Sequence, residues 1–117
     1  MIAAAVWLLT AVVAAGSALG AWHLREGAAP PPKIAGILHG IAGAAGVVVL
    51  ILALQGPPRG LATGVSAFGP VSGVLFVLAL LTGLAILALR REGLVIAIHA
   101  GIAITAYVLL LAWDSLG

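Results

Sequence analysis

Two histidines, His39 and His99, each stand about two turns inside a long apolar segment, where an ionisable side chain is costly and marks a functional site by default. Lys33 precedes His39 by six positions, and Arg91 precedes His99 by eight. At about 1.5 Å per residue the imidazoles lie roughly 9 and 12 Å in from the charged ends of their helices. If the two helices run the same way, the rings share nearly one depth. Neutral imidazoles placed so are the axial pair that a metalloporphyrin takes.

Four apolar runs must position them, each long enough to cross a hydrocarbon core of about 30 Å. They cover residues 2–24, 34–54, 65–89 and 94–113, the start of the third blurred by Pro70. Between them lie a connector with Pro30-Pro31-Pro32, a second with Pro57-Pro58, and the tight Arg90-Arg91-Glu92-Gly93. Connectors this short make neighbouring helices antiparallel. The expected fold is therefore all-α: one domain over residues 1–117, a transmembrane up-down-up-down four-helix bundle. Arg25-Glu26-Gly27 and Arg91-Glu92-Gly93 each lead into a helix carrying one of the two histidines, which suggests two repeated helical hairpins. In this order the second and fourth helices are parallel and diagonal, so His39 and His99 are expected to face each other across the bundle axis.

Composition narrows the chemistry. Hydrophobic residues make up 64% of the chain and charged ones 7%, which is far from soluble composition and reads as an integral membrane protein. No basic patch interleaved with aromatics is present, so nucleic acid is not an expected partner. The absence of cysteine removes disulfides, thiolate metal sites, iron–sulfur clusters and covalent haem attachment. The one methionine is Met1, so a buried methionine ligand is also excluded. The first apolar run has no positive residue before it and exceeds 20 residues, so it reads as a retained span rather than a signal peptide. Basic residues Arg25, Lys33, Arg90 and Arg91 flank the first and third loops, with only Arg59 on the other side. The expected location is a bacterial cytoplasmic membrane, with those loops cytoplasmic and both termini opposite. Trp22 would mark one interface, Trp7 and Trp113 the other.

At the depth of the histidines all four spans carry small residues. Gly36, Gly40 and Gly43 surround His39; Gly16, Ser17 and Gly20 lie at that level on the first span, Thr82 and Gly83 on the third. These are the expected walls of a cofactor site, with Arg25, Lys33, Arg90 and Arg91 placed to pair with two propionates. No carboxylate lies inside a span, so each imidazole's second nitrogen must donate to a backbone carbonyl or a hydroxyl; Ser17, Thr82 and Thr105 are the nearest hydroxyls. His23, beside Trp22, belongs to the interface. The same glycine spacings also serve plain helix packing in membranes.

In this pattern the chain resembles the b-type membrane cytochromes, whose haem lies between transmembrane helices with histidines at matching depth and glycines giving the ring room. The resemblance implies one non-covalent haem b with His39 and His99 on the iron, and electron transfer to or from a quinone or a redox partner protein. An enzyme is not expected, because there is no nucleophile–base pair, carboxylate pair or phosphate-binding loop. The alternative is a cofactor-free accessory or assembly subunit of a larger membrane complex, or a homo-oligomer, using the same residues for packing. A small multidrug transporter has this size but needs an embedded carboxylate, and Glu26, Glu92 and Asp114 all lie at helix ends.

Overall fold

The computed structural model describes residues 1–89 and 93–117. It contains four helices, α1 (Ile2–His23), α2 (Lys33–Leu54), α3 (Phe68–Ala88) and α4 (Gly93–Leu116). Each is long and apolar enough to cross a membrane. Helices are the form such segments must take there, because lipid offers no partner for an open backbone N–H or C=O. Together they make a rod of 50 × 21 × 20 Å. Backbone contacts join α1 to α2, α2 to α3, α3 to α4 and α1 to α4, and among the described residues none joins α1 to α3 or α2 to α4. The order is up-down-up-down, with α2 and α4 on one diagonal.

The helix ends follow local chemistry. The α1–α2 connector turns at Gly27, whose φ of 71° is left-handed, and runs through the prolines to Pro32, which caps α2 in an extended conformation. The Trp22 indole N–H donates to the Ala29 carbonyl at 3.0 Å and ties this connector to α1. The third helix starts at Phe68, inside the interval expected. Pro70 falls in its first turn, where backbone N–H groups have no helical partner to lose. The fourth helix continues three residues past the expected end at Trp113. Its last carbonyls are capped by the α2–α3 connector: Arg59 Nη2 donates to the Asp114 carbonyl at 3.3 Å and Thr63 Oγ1 to the Leu116 carbonyl at 2.8 Å.

The buried residues of the four helices are confined to one half of the rod. Among the described residues α1 buries nothing beyond Val12, α2 nothing before Gly43, α3 nothing beyond Ala79 and α4 nothing before Ala106. The half nearer the termini holds Leu9, Leu50, Phe76, Leu110 and Trp113 in one cluster. Two cross-helix hydrogen bonds belong to it, Ser72 Oγ to the Ala106 carbonyl and Thr10 Oγ1 with Tyr107 Oη, each at 2.8 Å. Trp113 is not the lipid-facing interface marker expected of it. At 4% exposure, against 75% for Trp7, its ring lies on Gly69, where a Cβ would approach within 2.6 Å, and the Arg59 guanidinium stands over it at 5.8 Å.

Candidate functional site

His39 and His99 are each the seventh residue of their helix. Equal position on parallel, diagonal helices puts them at one level, and their ring centroids stand 6.2 Å apart with planes at 79°. They meet although the backbones of α2 and α4 make no contact, so the two side chains bridge the bundle axis themselves.

The neighbouring helices make room for the rings. A Cβ on Gly16 of α1 would fall 2.8 Å from His39 Cε1, and one on Gly83 of α3 would fall 3.3 Å from His99 Cε1. Each imidazole thus rests against a bare stretch of the adjacent helix.

Their hydrogen bonding differs. His99 Nδ1 lies 2.9 Å from the Ala79 carbonyl and 3.1 Å from Thr82 Oγ1. A carbonyl only accepts, so the contact assigns the proton to Nδ1 and leaves Nε2 with a free lone pair. Thr82 Oγ1 donates back to the Leu78 and Ala79 carbonyls and can accept from the imidazole. His39 Nδ1 is buried and has no hydrogen-bond partner among the described residues.

The Ala79 carbonyl is the functional group that sequence reading did not name, since a backbone acceptor leaves no residue-type signature. A signal does exist. Side chains on a helix lean toward its N-terminus and cover the turn before them, so a glycine four residues on, here Gly83, uncovers the carbonyl.

The remaining expected site residues divide. Gly36 meets Leu87, and Gly43 packs against Leu80 and Val12, so both serve helix contact rather than the rings. Gly20 and Gly40 face open space, with nothing within 4 Å of a Cβ built on either. Ser17 is exposed and its hydroxyl bonds the Val13 carbonyl of its own helix; Thr105 bonds the Gly101 carbonyl in the same way. Arg25 and Lys33 are exposed at the histidine end. Arg90 and Arg91 lie outside the described residues.

Among the described residues no three potential metal-ligating side chains cluster, so a centre built from protein ligands alone is not present there. A metalloporphyrin needs only two, because the macrocycle supplies the other four donors. His39 and His99 are donors of a kind that could hold such a group, but their rings stand in edge contact with no slot open between them for a macrocycle.

Comparison with family models, with curated proteins and with solved structures finds no match for this chain.

Proposed function

We propose that this chain is a membrane electron-transfer protein that binds one non-covalent haem b between α2 and α4, with His39 and His99 as the residues that would hold it. The observation that carries the reading is the pair of imidazoles meeting on the bundle axis at matched position, one of them with its tautomer set so that Nε2 is free. Bound there, haem would supply a one-electron carrier, and two nitrogen ligands suit it to both oxidation states.

The chain's own residues do the rest. Ala79 and Thr82 orient His99 and hold the proton on Nδ1, which raises the basicity of the other nitrogen. Gly16 and Gly83 let the imidazoles lie against α1 and α3. Room for the ring would require the α1–α2 hairpin to part from the α3–α4 hairpin at the histidine end, where no helix buries a side chain among the described residues, while the Leu9–Trp113 cluster holds the other end. Arg25 and Lys33 stand at that end for anionic substituents of the ring, with Arg90 and Arg91 assigned the same role from sequence.

Orientation and location are part of the same reading: a bacterial cytoplasmic membrane, with the α1–α2 and α3–α4 loops inside. Arg59, the basic residue of the opposite side, is spent on the Asp114 carbonyl and the Trp113 ring, which leaves the charge bias with the other loops. The electron partner is a quinone or a docking protein.

A reduced-minus-oxidised absorption spectrum of the purified protein tests the proposal. A low-spin b-type spectrum, disrupted by His39→Ala and by His99→Ala, is the expected result. The edge contact of the rings favours the second reading, a cofactor-free accessory subunit. Colourless protein from cells well supplied with haem would put that reading in front.

A further inference from the structure

The outer surface of the α1–α2 hairpin is grooved. A furrow of about 580 Å³ runs between the two helices, from Leu8 to Trp22 on α1 and from Ala35 to Ala42 on α2. Alanine makes it: Ala11, Ala15 and Ala18, all exposed, stand on one wall, Ala35 and Ala42 on the other. Methyl groups leave a depression where the outer face of α3, with Val74, Leu81 and Leu84, presents large side chains. From Leu8 to Trp22 the α1 wall is about 21 Å long at 1.5 Å rise per residue. One leaflet is half of a hydrocarbon core about 30 Å thick, so an acyl chain can lie in the furrow along its whole length.

The mouth of the furrow is charged. It ends at Trp22 and Ala35, close in sequence to Arg25 and Lys33. Both basic side chains are exposed, and among the described residues neither takes part in a hydrogen bond or an ion pair. The connector that carries Arg25 is tied to α1 by the Trp22 indole, which donates to the Ala29 carbonyl at 3.0 Å. An indole in this place marks the headgroup level, and basic pockets between membrane helices hold the headgroups of anionic lipids. A second groove, of about 360 Å³, gives the contrast. It lies between α2 and α3, walled by Ile51, Leu54 and Val74, at the end of the rod where Arg59 is already given to the Asp114 carbonyl and the Trp113 ring. Among the described residues that groove has apolar walls and no free cation.

We propose that the α1–α2 hairpin is a binding site for one anionic phospholipid, with its phosphate on Arg25 and Lys33 and one acyl chain lying in the furrow past Ala18 and Ala15. Charge complementarity selects this occupant over a neutral lipid, and the length of the furrow selects it over free phosphate. A guanidinium has five N–H donors and an ammonium three, so these side chains serve a headgroup whether or not the bundle holds a cofactor. In the orientation proposed above, the site opens to the cytoplasmic leaflet, whose surface is negative. The seated chain covers the wall to which His39 contributes and gives α1 and α2 packing contacts there.

Mass spectrometry of the intact chain, released from micelles holding phosphatidylglycerol and phosphatidylcholine in equal amounts, tests this. Wild type is expected to retain one phosphatidylglycerol with a preference of about tenfold or more. Arg25→Gln and Lys33→Gln are each expected to cut that preference about fivefold, and Arg25→Lys to keep it. Ala18→Leu, or Ala15→Leu should the first not fold, fills the furrow and is expected to lower lipid retention while both cations remain. Equal retention of the two lipids by wild type would overturn the proposal. So would a preference untouched by either charge substitution, or full retention in Ala18→Leu and Ala15→Leu. Displacement of the lipid by millimolar inorganic phosphate would overturn it too, leaving a phosphate site alone. The readout is the mass of bound lipid, so a failure here leaves the haem reading where it stands, and a colourless protein leaves this one.

Discussion

Gly16→Ala is the sharpest perturbation of the histidine pair, because it adds one methyl group at the point where α1 meets the His39 ring. The new Cβ would lie 2.8 Å from Cε1 and 3.2 Å from Nε2, so the ring must retreat by about 0.6 Å to reach ordinary contact. Forcing an extra methyl into a filled space costs about 1–3 kcal/mol. Alanine is a better helix former than glycine by about 0.8–1 kcal/mol, which offsets part of that. The net effect expected for Gly16→Ala is a loss of up to about 2 kcal/mol. At Gly83 the nearest ring atom is 3.3 Å from the built Cβ, so a retreat of about a tenth of an ångström suffices and helix propensity decides. Gly83→Ala is therefore expected to be neutral, or stabilising by less than about 1 kcal/mol. Gly101 has nothing within 4 Å of a built Cβ, and Gly101→Ala is expected to stabilise by up to about 1 kcal/mol.

The series thus changes sign along one substitution type, which a general preference for glycine in membrane helices does not produce. Reversible unfolding of the haem-free protein in mixed micelles, followed by circular dichroism, reads the ranking. The NMR resonance of the His39 Cε1–H reads the cause, since it must move in Gly16→Ala and stay in Gly101→Ala. If Gly16→Ala stabilised as much as Gly101→Ala and left that resonance in place, the ring would not lie on Gly16 and the geometry argued for the pair would be wrong.

Three further outcomes follow from contacts elsewhere. Thr82→Val removes the 3.1 Å contact to His99 but keeps the Ala79 carbonyl, so it is expected to cost about 0.6 kcal/mol, read by unfolding of the cofactor-free protein. A double-mutant cycle of Thr10→Val and Tyr107→Phe is expected to give a coupling of about 0.6 kcal/mol, and additive losses would show that the 2.8 Å bond between α1 and α4 contributes nothing. Arg59→Met removes both the cation above Trp113 and the donor to the Asp114 carbonyl; a loss of about 1 kcal/mol is expected, together with faster proteolysis of the α2–α3 connector.

The four spans were legible because lipid-crossing segments must be long, apolar and helical, a constraint that needs no knowledge of tertiary contacts. The level of His39 and His99 was legible too, since short connectors dictate antiparallel order and the two residues sit equally far into their helices. What failed was anything settled by a neighbour's shape. Trp113 has the composition of an interface anchor, yet Gly69 across the bundle gives its ring a flat seat and draws it inward. The glycines read alike in sequence, but only Gly16 and Gly83 face an imidazole; Gly36 and Gly43 meet aliphatic side chains. The Ala79 acceptor was out of reach because its chemistry belongs to the backbone and only Gly83 betrays it.

The division of the rod into a packed half and a lean half bears on the setting of the histidine pair. In water a half-bundle with so many exposed aliphatic side chains would close on itself to hide apolar surface. In a bilayer that force is absent, since lipid tails are as apolar as the side chains, and helices associate through packing and hydrogen bonds. The half near the termini has both, in the Leu9–Trp113 cluster and in the Ser72–Ala106 and Thr10–Tyr107 bonds. Among the described residues the histidine half has neither large buried side chains in its helices nor, at His39, a satisfied imidazole. Substitutions that enlarge the packed half should therefore change the stability of the whole bundle. Those in the lean half should instead change the geometry of the histidine pair.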